Sequence, residues 1–207
     1  ERDTNAVLLR EVHHRVKNNL QIIVSLLSLQ SRFITDDKLV HVFDEVQNRV
    51  RSMSLIHQKM YQSKDLSTVN IAEYINDLSE NLLKTYNLSQ QVKLEVDVAV
   101  NRFKSDTLTP LGLIINEIIS NALKYAFTEE TAGTIFVEIK SLGNGRYRMV
   151  IGDDGVGLPS TSGHESESGS FGTELIHALI EQLNGTIVRD TEQKGTVYRI
   201  DFEDLED

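Results

Sequence analysis

Residues 116–125 have the sequence NEIISNALKY, which places Glu117, Asn121 and Lys124 at positions i, i+4 and i+7 of a predicted helix. At this spacing the three side chains lie along one side of an α-helix. An amide oxygen can coordinate Mg²⁺, an ammonium group can bind phosphate, and a carboxylate can orient a metal-bound water. Taken alone, the pattern favours a polar helix face exposed to solvent, so the rest of the chain has to decide between the two interpretations.

A second element has the sequence VIGDDGVG at residues 150–157. It ends a predicted strand with Asp153, and Gly155 and Gly157 follow. Glycines let the backbone approach a flat ligand, and a carboxylate at a strand end can accept a hydrogen bond from an exocyclic amine. The alternative is an ordinary turn, for which Asp-Asp-Gly is a common sequence.

Two further glycine-bearing segments follow along the chain. Residues 169–175, GSFGTEL, have the composition of a loop that enters a helix. Free backbone N–H groups and the helix dipole suit phosphate at such a place. Gly195-Thr196 lies where the last predicted strand begins. Each of these segments is weak evidence by itself.

Together, in this order and spacing, the four elements resemble the N, G1, G2 and G3 boxes of the GHKL (Bergerat) ATPase fold shared by gyrase, Hsp90, MutL and histidine kinases. The resemblance covers residues 70–202. It implies that Asn121 binds Mg²⁺, that Lys124 and Tyr125 contact the phosphates and nucleotide of ATP, and that Asp153 accepts the adenine amine. The remaining positions matched to the ATP-binding boxes are Gly155, Gly157, Gly172 and Thr196.

The third box differs from that of many histidine kinases, which have Gly-x-Gly-x-Gly where this chain has SFGTE at residues 170–174 and keeps only Gly172. This difference leaves open a phosphotransfer or scaffold protein with a degenerate ATP site. A serine kinase of the anti-sigma-factor type, which shares the GHKL fold, is the other alternative. It gives no reason for the histidine-bearing helix described next.

Two long amphipathic helices are predicted before residue 63. Residues 7–33 carry apolar side chains at spacings of three and four, residues 35–37 form a turn with an N-cap, and residues 39–60 continue with a 4-3-4-3 seam interrupted only by His57. We interpret His57 as a packed core histidine. Two helices joined by a short turn form an αα-hairpin, which buries its apolar stripe on one side only. A four-helix bundle built by a homodimer is the expected completion, with cover by other helices of the same chain as the alternative.

The first helix contains EVHHRVKNNLQ at residues 11–21. At about 100° per residue, His13 lies at the flank of the apolar arc, whereas His14 points nearly opposite, with Asn18 one turn further on. The stretch resembles the phosphoacceptor signature of the His-Arg-x-Lys-Asn class of histidine kinases, called HisKA_2. That resemblance implies that His14 takes the phosphate. Glu117 and Lys124, on the helix at residues 116–125, are the further catalytic candidates. The commoner histidine kinases have an acid directly after the histidine, but here the residue is Arg15, so the general base stays unassigned.

Glu11 is a hypothesis for that base. It lies one turn before His14 and about 60° around the helix. The alternative is a charge that only caps the helix. Arg15 and Lys17 are candidates for contacts with phosphate or with an acidic partner surface.

The remaining pattern predicts an α+β domain. Helices are expected at residues 70–86, 106–126 and 171–183, strands at 92–98 and 196–202, and a hairpin of residues 134–141 and 146–151 around Gly143-Asn144-Gly145. These elements favour a mixed sheet with helices on one face. Residues 159–170 have loop composition, and we expect them to be mobile.

Length and composition bound these predictions. For 207 residues we predict two domains, a dimerisation and phosphoacceptor hairpin at 1–63 and an ATP-binding domain at 70–207, joined by a linker at 64–69. The net charge of −10 argues against nucleic acid as a partner. Without cysteine the chain has no disulfide, thiolate metal site or cysteine nucleophile. No apolar run approaches the ~18 residues of a membrane span. No signal peptide is recognised, and we expect a cytoplasmic location. The start at Glu1 suggests a fragment of a longer sensor, which is either membrane-attached or soluble.

The sequence thus predicts ATP-dependent autophosphorylation on histidine with ATP and Mg²⁺ as cofactors. The expected next acceptor is an aspartate of a response-regulator receiver domain, a step that rests on family resemblance.

Overall fold

The computed structural model describes residues 2–62, 70–86, 91–100, 103–127, 132–157 and 171–204. Within these ranges the side chains of residues 2–14, 37, 38, 41, 56, 57, 59–62, 105 and 171 lie outside the description. The chain divides into two compact units, Glu1–Thr68 and Val69–Asp207. The predicted linker and the predicted mobile loop at 159–170 fall outside the described residues.

The first unit is an αα-hairpin, as the periodicity predicts. Helix α1 (Arg2–Ser31) and helix α2 (Asp37–Gln62) pack against each other. The turn between them is closed by backbone hydrogen bonds, among them Phe33 N to Gln30 O at 3.1 Å and Val40 N to Asp36 O at 3.0 Å. The predicted pattern of two long helices with a short connection is therefore confirmed.

Large apolar side chains remain exposed along this hairpin. On α1 they recur at spacings of four, three and four and continue into the turn, where Phe33 is 82% exposed. We call the set Ile22, Leu26, Leu29 and Phe33 the α1 stripe. Ile23 is exposed as well, although it belongs to the apolar residues that recur at spacings of three and four within residues 7–33. Part of the apolar surface of α1 is thus not covered by any described residue.

The second unit is a five-stranded mixed sheet with three helices. The elements in chain order are α3 (Ile71–Thr85), β1 (Val92–Val98), α4 (Ser105–Tyr125), β2 (Gly133–Gly143), β3 (Arg146–Asp153), α5 (Phe171–Gln182), β4 (Thr186–Asp190) and β5 (Thr196–Glu203). The strand order is β1-β2-β3-β5-β4. Strand β1 pairs with β2 in parallel, and the other pairs are antiparallel. The predicted helical region followed by an α+β domain is confirmed.

Strand β4 is absent from the sequence-based prediction, which assigns no element between the last helix and the last strand. The strand has five residues, none of them fully buried, and it lies at the edge of the sheet beside β5. A strand this short and exposed carries little alternation for a sequence pattern to detect.

The core lies between one face of the sheet and the helices. On β2, Ile135, Val137 and Ile139 are buried while the residues between them are half-buried, so the side-chain alternation points one face inward. Helix α4 packs against α3, α5 and β3, and every residue from 111 to 120 is buried. Because α4 is covered on several sides, the helix that carries residues 116–125 has a fixed position relative to the end of β3.

Helix α3 begins and ends with defined caps. The side-chain oxygen of Asn70 accepts a hydrogen bond from Glu73 N at 3.2 Å, and the N–H of Tyr86 donates to Leu82 O at the other end. Between them, Tyr74 is buried, and its hydroxyl has no hydrogen-bond partner among the described residues. Burial raises the pKa of this phenol.

Candidate functional site

The site forms where β3 ends and β5 begins. Asp153 and Thr196 lie opposite each other in the antiparallel pairing of these strands, although 43 residues separate them in the chain. Asp153 is 2% exposed. The sheet register thus joins the second and the fourth predicted elements in one place.

The Asp153 carboxyl group is held by backbone donors. Its Oδ1 accepts hydrogen bonds from Gly155 N at 3.0 Å and from Thr196 N at 3.4 Å. Burial raises the pKa of this carboxyl, and the two backbone hydrogen bonds act in the opposite direction. The described bonds to this group all end on Oδ1. The other oxygen remains able to accept a hydrogen bond from a ligand amine.

The neighbouring carboxylate, Asp154, has a different position. Its Oδ1 accepts from Thr134 N at 2.7 Å, and its own N–H donates to Thr134 O at 3.2 Å. Asp154 therefore fastens the end of β3 to the beginning of β2. The turn interpretation of Asp-Asp-Gly suits Asp154, whereas Asp153 lies in the position expected for a ligand contact.

Glycines let the backbone segments around Asp153 come close together. Gly195 has a φ of +84°, and a Cβ atom placed on it would overlap the backbone oxygen of Asp153. A Cβ atom on Gly157, whose φ is +73°, would lie 3.1 Å from Gly195 O. The sequence interpretation matched Thr196 but not Gly195 to a site position. The Lys-Gly pair directly before Thr196, the first residue of the last strand, was the available signal.

The end of α4 meets the same segment. Val156 N donates to Ala126 O at 3.1 Å, and a Cβ atom on Gly155 would overlap that carbonyl. Gly155 therefore allows the chain after β3 to lie directly on the C-terminal cap of α4. This contact places the first element beside the second, as the box order implies.

The predicted residues of α4 differ in exposure. Asn121 is exposed, Lys124 is half-buried, and Tyr125 is 65% exposed. Glu117 is only 5% exposed, and its Oε1 lies 3.5 Å from Nδ2 of the buried Asn116. The amide, ammonium and phenol groups can reach a ligand in solvent directly, whereas Glu117 lies deeper in the helix packing.

Gly172 is buried in the first turn of α5, which packs against α4. This agrees with a glycine at the beginning of a helix, as predicted. Gly169 and Ser170 lie outside the described residues.

His14 belongs to α1, but its side chain lies outside the described residues, as do those of His13, Glu11 and His57. One turn further along α1, Asn18 is exposed. It lines a groove on the hairpin together with Gln21 and Ser25 of α1 and Arg51 and Ser54 of α2, and the same groove is lined by the apolar residues Leu20, Ile22, Val24 and Leu26. The groove that begins one turn after His14 is therefore of mixed polar and apolar character.

These donors fit an adenine nucleotide with a magnesium ion. Asn121 offers a neutral exposed oxygen, Lys124 offers a positive charge one turn later on the same helix, and Asp153 offers a fixed acceptor at the adjoining strand end. Among the described residues, no cluster of three or more His, Asp or Glu side chains has the arrangement of a metal site. Within the described part of the chain, no helix combines the length and apolarity that a membrane span requires.

Two family models match the chain. Residues 11–86 match HisKA_2, described as histidine kinase, and residues 106–206 match HATPase_c, described as histidine kinase-, DNA gyrase B- and HSP90-like ATPase. The sensor histidine kinase PdtaS of Mycobacterium tuberculosis is 31% identical over 191 residues, which are 91% of this chain and 38% of that protein. Blue-light-activated histidine kinase 2 of Erythrobacter litoralis is 25% identical over 94% of this chain and 56% of its own length. The chain thus spans between about two fifths and somewhat more than half of these relatives.

Solved structures show the same fold. The histidine kinase domain of the Erythrobacter litoralis EL346 blue-light-activated histidine kinase superposes with a TM-score of 0.68 at 22% identity, covering 97% of this chain and 94% of that one. The longer EL346 structure gives a TM-score of 0.67 at 25% identity, with 95% of this chain and 62% of that chain covered. The chain belongs to the sensor histidine kinases in which a HisKA_2 region precedes a GHKL-type HATPase_c domain.

Proposed function

We propose that this chain is the transmitter part of a sensor histidine kinase, which binds Mg-ATP in its second unit and transfers the γ-phosphoryl group to His14. The observation that carries the proposal is the Asp153 carboxyl group, buried and fixed through Oδ1 by two backbone N–H groups. A rigid acceptor at a strand end is suited to reading an exocyclic amine, because its position is set before the ligand arrives.

Each group at the site has a proposed role. Asp153 accepts from the adenine amine, and Gly155 and Gly157 let the backbone lie against the base. Asn121 coordinates Mg²⁺, and Lys124 pairs with the phosphates. Tyr125, Gly172 and Thr196 complete the nucleotide contacts. Bound magnesium supplies neutralisation of phosphate charge.

The transfer step needs little covalent chemistry from the protein. A ring nitrogen of neutral His14 attacks the γ-phosphorus in line, a nitrogen–phosphorus bond forms, and the bond from that phosphorus to the β,γ-bridging oxygen breaks, so ADP leaves. The proton on the other ring nitrogen is then released. Lys124 balances charge on the transferred group. Glu117, which is buried, is proposed to orient this part of the site, and Glu11 remains the hypothesis for the base.

The proposed domain division follows from these roles. Residues 1–63 form the dimerising phosphoacceptor hairpin, residues 64–69 a linker, and residues 70–207 the ATP-binding domain. Homodimerisation through the hairpin is supported by the α1 stripe, which no described residue of the chain covers. An apolar stripe with this helical spacing is typical of a helix-bundle interface.

The proposed downstream partner is a response-regulator receiver domain, to which phosphohistidine passes its phosphoryl group. Because such transfers draw on cellular ATP, we propose a cytoplasmic location. Both proposals rest on membership of the sensor histidine kinases.

Incubation of the full chain with labelled ATP and Mg²⁺ tests the proposal. Label that is acid-labile and base-stable, and that disappears in His14→Gln, is the expected result. Acid-stable label would identify a serine kinase instead. Nucleotide binding without label in the dimer would identify a degenerate phosphotransfer protein. Mixing His14→Gln with Asn121→Ala then distinguishes transfer within one chain from transfer between two, because only the latter restores label.

A further inference from the structure

A hydrogen bond between side chains joins α3 to α4 at the nucleotide site. The hydroxyl of Tyr86, the residue that caps α3, lies 2.8 Å from Oγ of Ser120 on α4. Tyr86 is half-buried and Ser120 is 7% exposed, so water competes little for this bond. The two residues are 34 positions apart.

Ser120 lies on α4 next to the residues proposed to hold the metal and the phosphates. It immediately precedes Asn121 and lies one turn before Lys124, the two residues proposed to hold the metal and the phosphates. Because backbone hydrogen bonds make a helix turn nearly rigid, fixing the Ser120 side chain fixes the rotation and height of this turn. The next turn is held separately, through Val156 N and Ala126 O. In addition to the packing of its buried side chains, the last part of α4 is thus held by hydrogen bonds at two points, one on α3 and one on the segment after β3.

We infer that Tyr86 is a positioning residue for Mg-ATP. Its hydroxyl holds Ser120 so that Asn121 and Lys124 face the metal and the phosphates. This inference rests on the proposed ATP-binding function. It concerns the metal and phosphate end of the site and not the adenine end, since Asp153 is fixed by other bonds.

The chain offers a matched control on the same helix. Tyr74 lies on α3 as well, and its buried hydroxyl has no partner among the described residues. Tyr74→Phe therefore removes the same oxygen atom without removing a described hydrogen bond. Removing a buried and unpaired hydroxyl is neutral or stabilising for the fold.

The experiment compares two ligands by calorimetry on the full chain. Mg-ATP reports on the whole site, whereas adenosine without metal reports on the adenine end alone. For Tyr86→Phe we expect Mg-ATP binding to weaken about three- to tenfold, the range for loss of one partly buried hydrogen bond. Adenosine binding should change less than about twofold. Tyr74→Phe should leave both affinities at the wild-type values.

A second variant removes the same bond from its other end. Ser120→Ala should reproduce the selective loss of Mg-ATP binding, and the double variant should be no weaker than either single one, because both remove one interaction. If Tyr86→Phe folds poorly, Ser120→Ala still tests whether this hydrogen bond positions the metal and phosphate contacts.

Several outcomes would overturn the inference. These are unchanged Mg-ATP binding in Tyr86→Phe and Ser120→Ala, equal weakening of Mg-ATP and adenosine, or additive losses in the double variant. Absence of Mg-ATP binding in the wild-type chain would instead refute the proposed function on which the inference depends, so the two failures are distinguishable.

Discussion

Asp153→Asn is the most informative change at the adenine end of the site. The substitution keeps the shape of the side chain and an oxygen for the backbone donors Gly155 N and Thr196 N. The second position then carries an amide N–H in place of a carboxylate oxygen. That N–H would face the adenine amine, so a hydrogen bond is replaced by two opposed donors.

The size of the effect follows from the burial of the group. A hydrogen bond to a charged acceptor contributes about 1.5–3 kcal/mol, and each 1.4 kcal/mol corresponds to about tenfold in affinity. Since Asp153 is shielded from water, we expect ATP binding to weaken roughly 10- to 100-fold. Asp154→Asn is the matched control, since that carboxyl bonds Thr134 N and should leave ATP affinity within about twofold.

Calorimetry with ATP and inosine triphosphate provides the assay. Inosine carries an oxygen where adenine carries the amine, so the amide of Asp153→Asn can donate to it, and the preference for ATP should fall by more than about tenfold. An unchanged ratio of the two affinities, or an equal loss in Asp154→Asn, would refute the assignment of Asp153.

The same carboxyl predicts a pH dependence of binding. Burial raises its pKa above the ordinary value of 3.8. It therefore becomes protonated, and stops accepting from the amine through a carboxylate, at a higher pH than an exposed aspartate. ATP affinity of the wild-type chain should decline on acidification while the pH is still above 3.8, and Asp153→Asn should lack this decline.

Further predictions concern the turn, the sheet and the hairpin. Gly195→Ala should lower the free energy of unfolding by about 2–3 kcal/mol and abolish ATP binding, because the added Cβ overlaps a backbone oxygen. Gly145→Ala, which has open space around it, should lower that free energy by only about 1 kcal/mol, through backbone strain. Chemical denaturation measures both changes. The Asp201 carboxylate accepts two hydrogen bonds from Arg148, and these bonds lower the pKa of Asp201. The pair therefore stabilises the fold fully above the ordinary pKa of aspartate, and this stabilisation is lost as the pH falls through the lowered value. Asp201→Asn should remove that part of the pH dependence and, as the pair is partly exposed, cost about 0.5–1 kcal/mol in thermal or urea unfolding at neutral pH. Leu26→Lys, within the α1 stripe, should convert a dimer to a monomer in light scattering, and a dimer of unchanged affinity would contradict the proposed interface.

Local patterns predict most of the fold. The strand Val92–Val98 has the predicted bounds, and the other predicted helices and strands of the second unit agree within two residues. These predictions succeed because strand alternation and helical periodicity can be recognised within a few consecutive residues. Strand β4 was missed because Thr186–Asp190 is too short and too exposed to show either pattern. The parallel pairing of β1 and β2 also has no local signal, since α4 lies between them in the chain.

At the site, too, local sequence patterns predict some features, whereas contacts between distant parts of the chain could not be predicted. Asp153 could be identified from its place at a predicted strand end, and the structure puts it there. The separate position of Asp154 could not be predicted, because it depends on the register of β2 against β3. The close approach of Gly195 to Asp153 is likewise a contact between distant parts of the chain. The hydrogen bond of Tyr86 to Ser120 depends on how two helices pack, which neither helix encodes alone.

The turn between β2 and β3 lies at the opposite end of β3 from Asp153. Seven residue steps separate Arg146 from Asp153, about 24 Å of strand at ~3.4 Å per residue. Gly143 and Gly145 have no neighbouring atom within 4 Å of an added Cβ. This tip is therefore a suitable attachment point for a fluorophore, an epitope tag or a surface tether, which would report on or immobilise the protein while the proposed nucleotide site stays accessible.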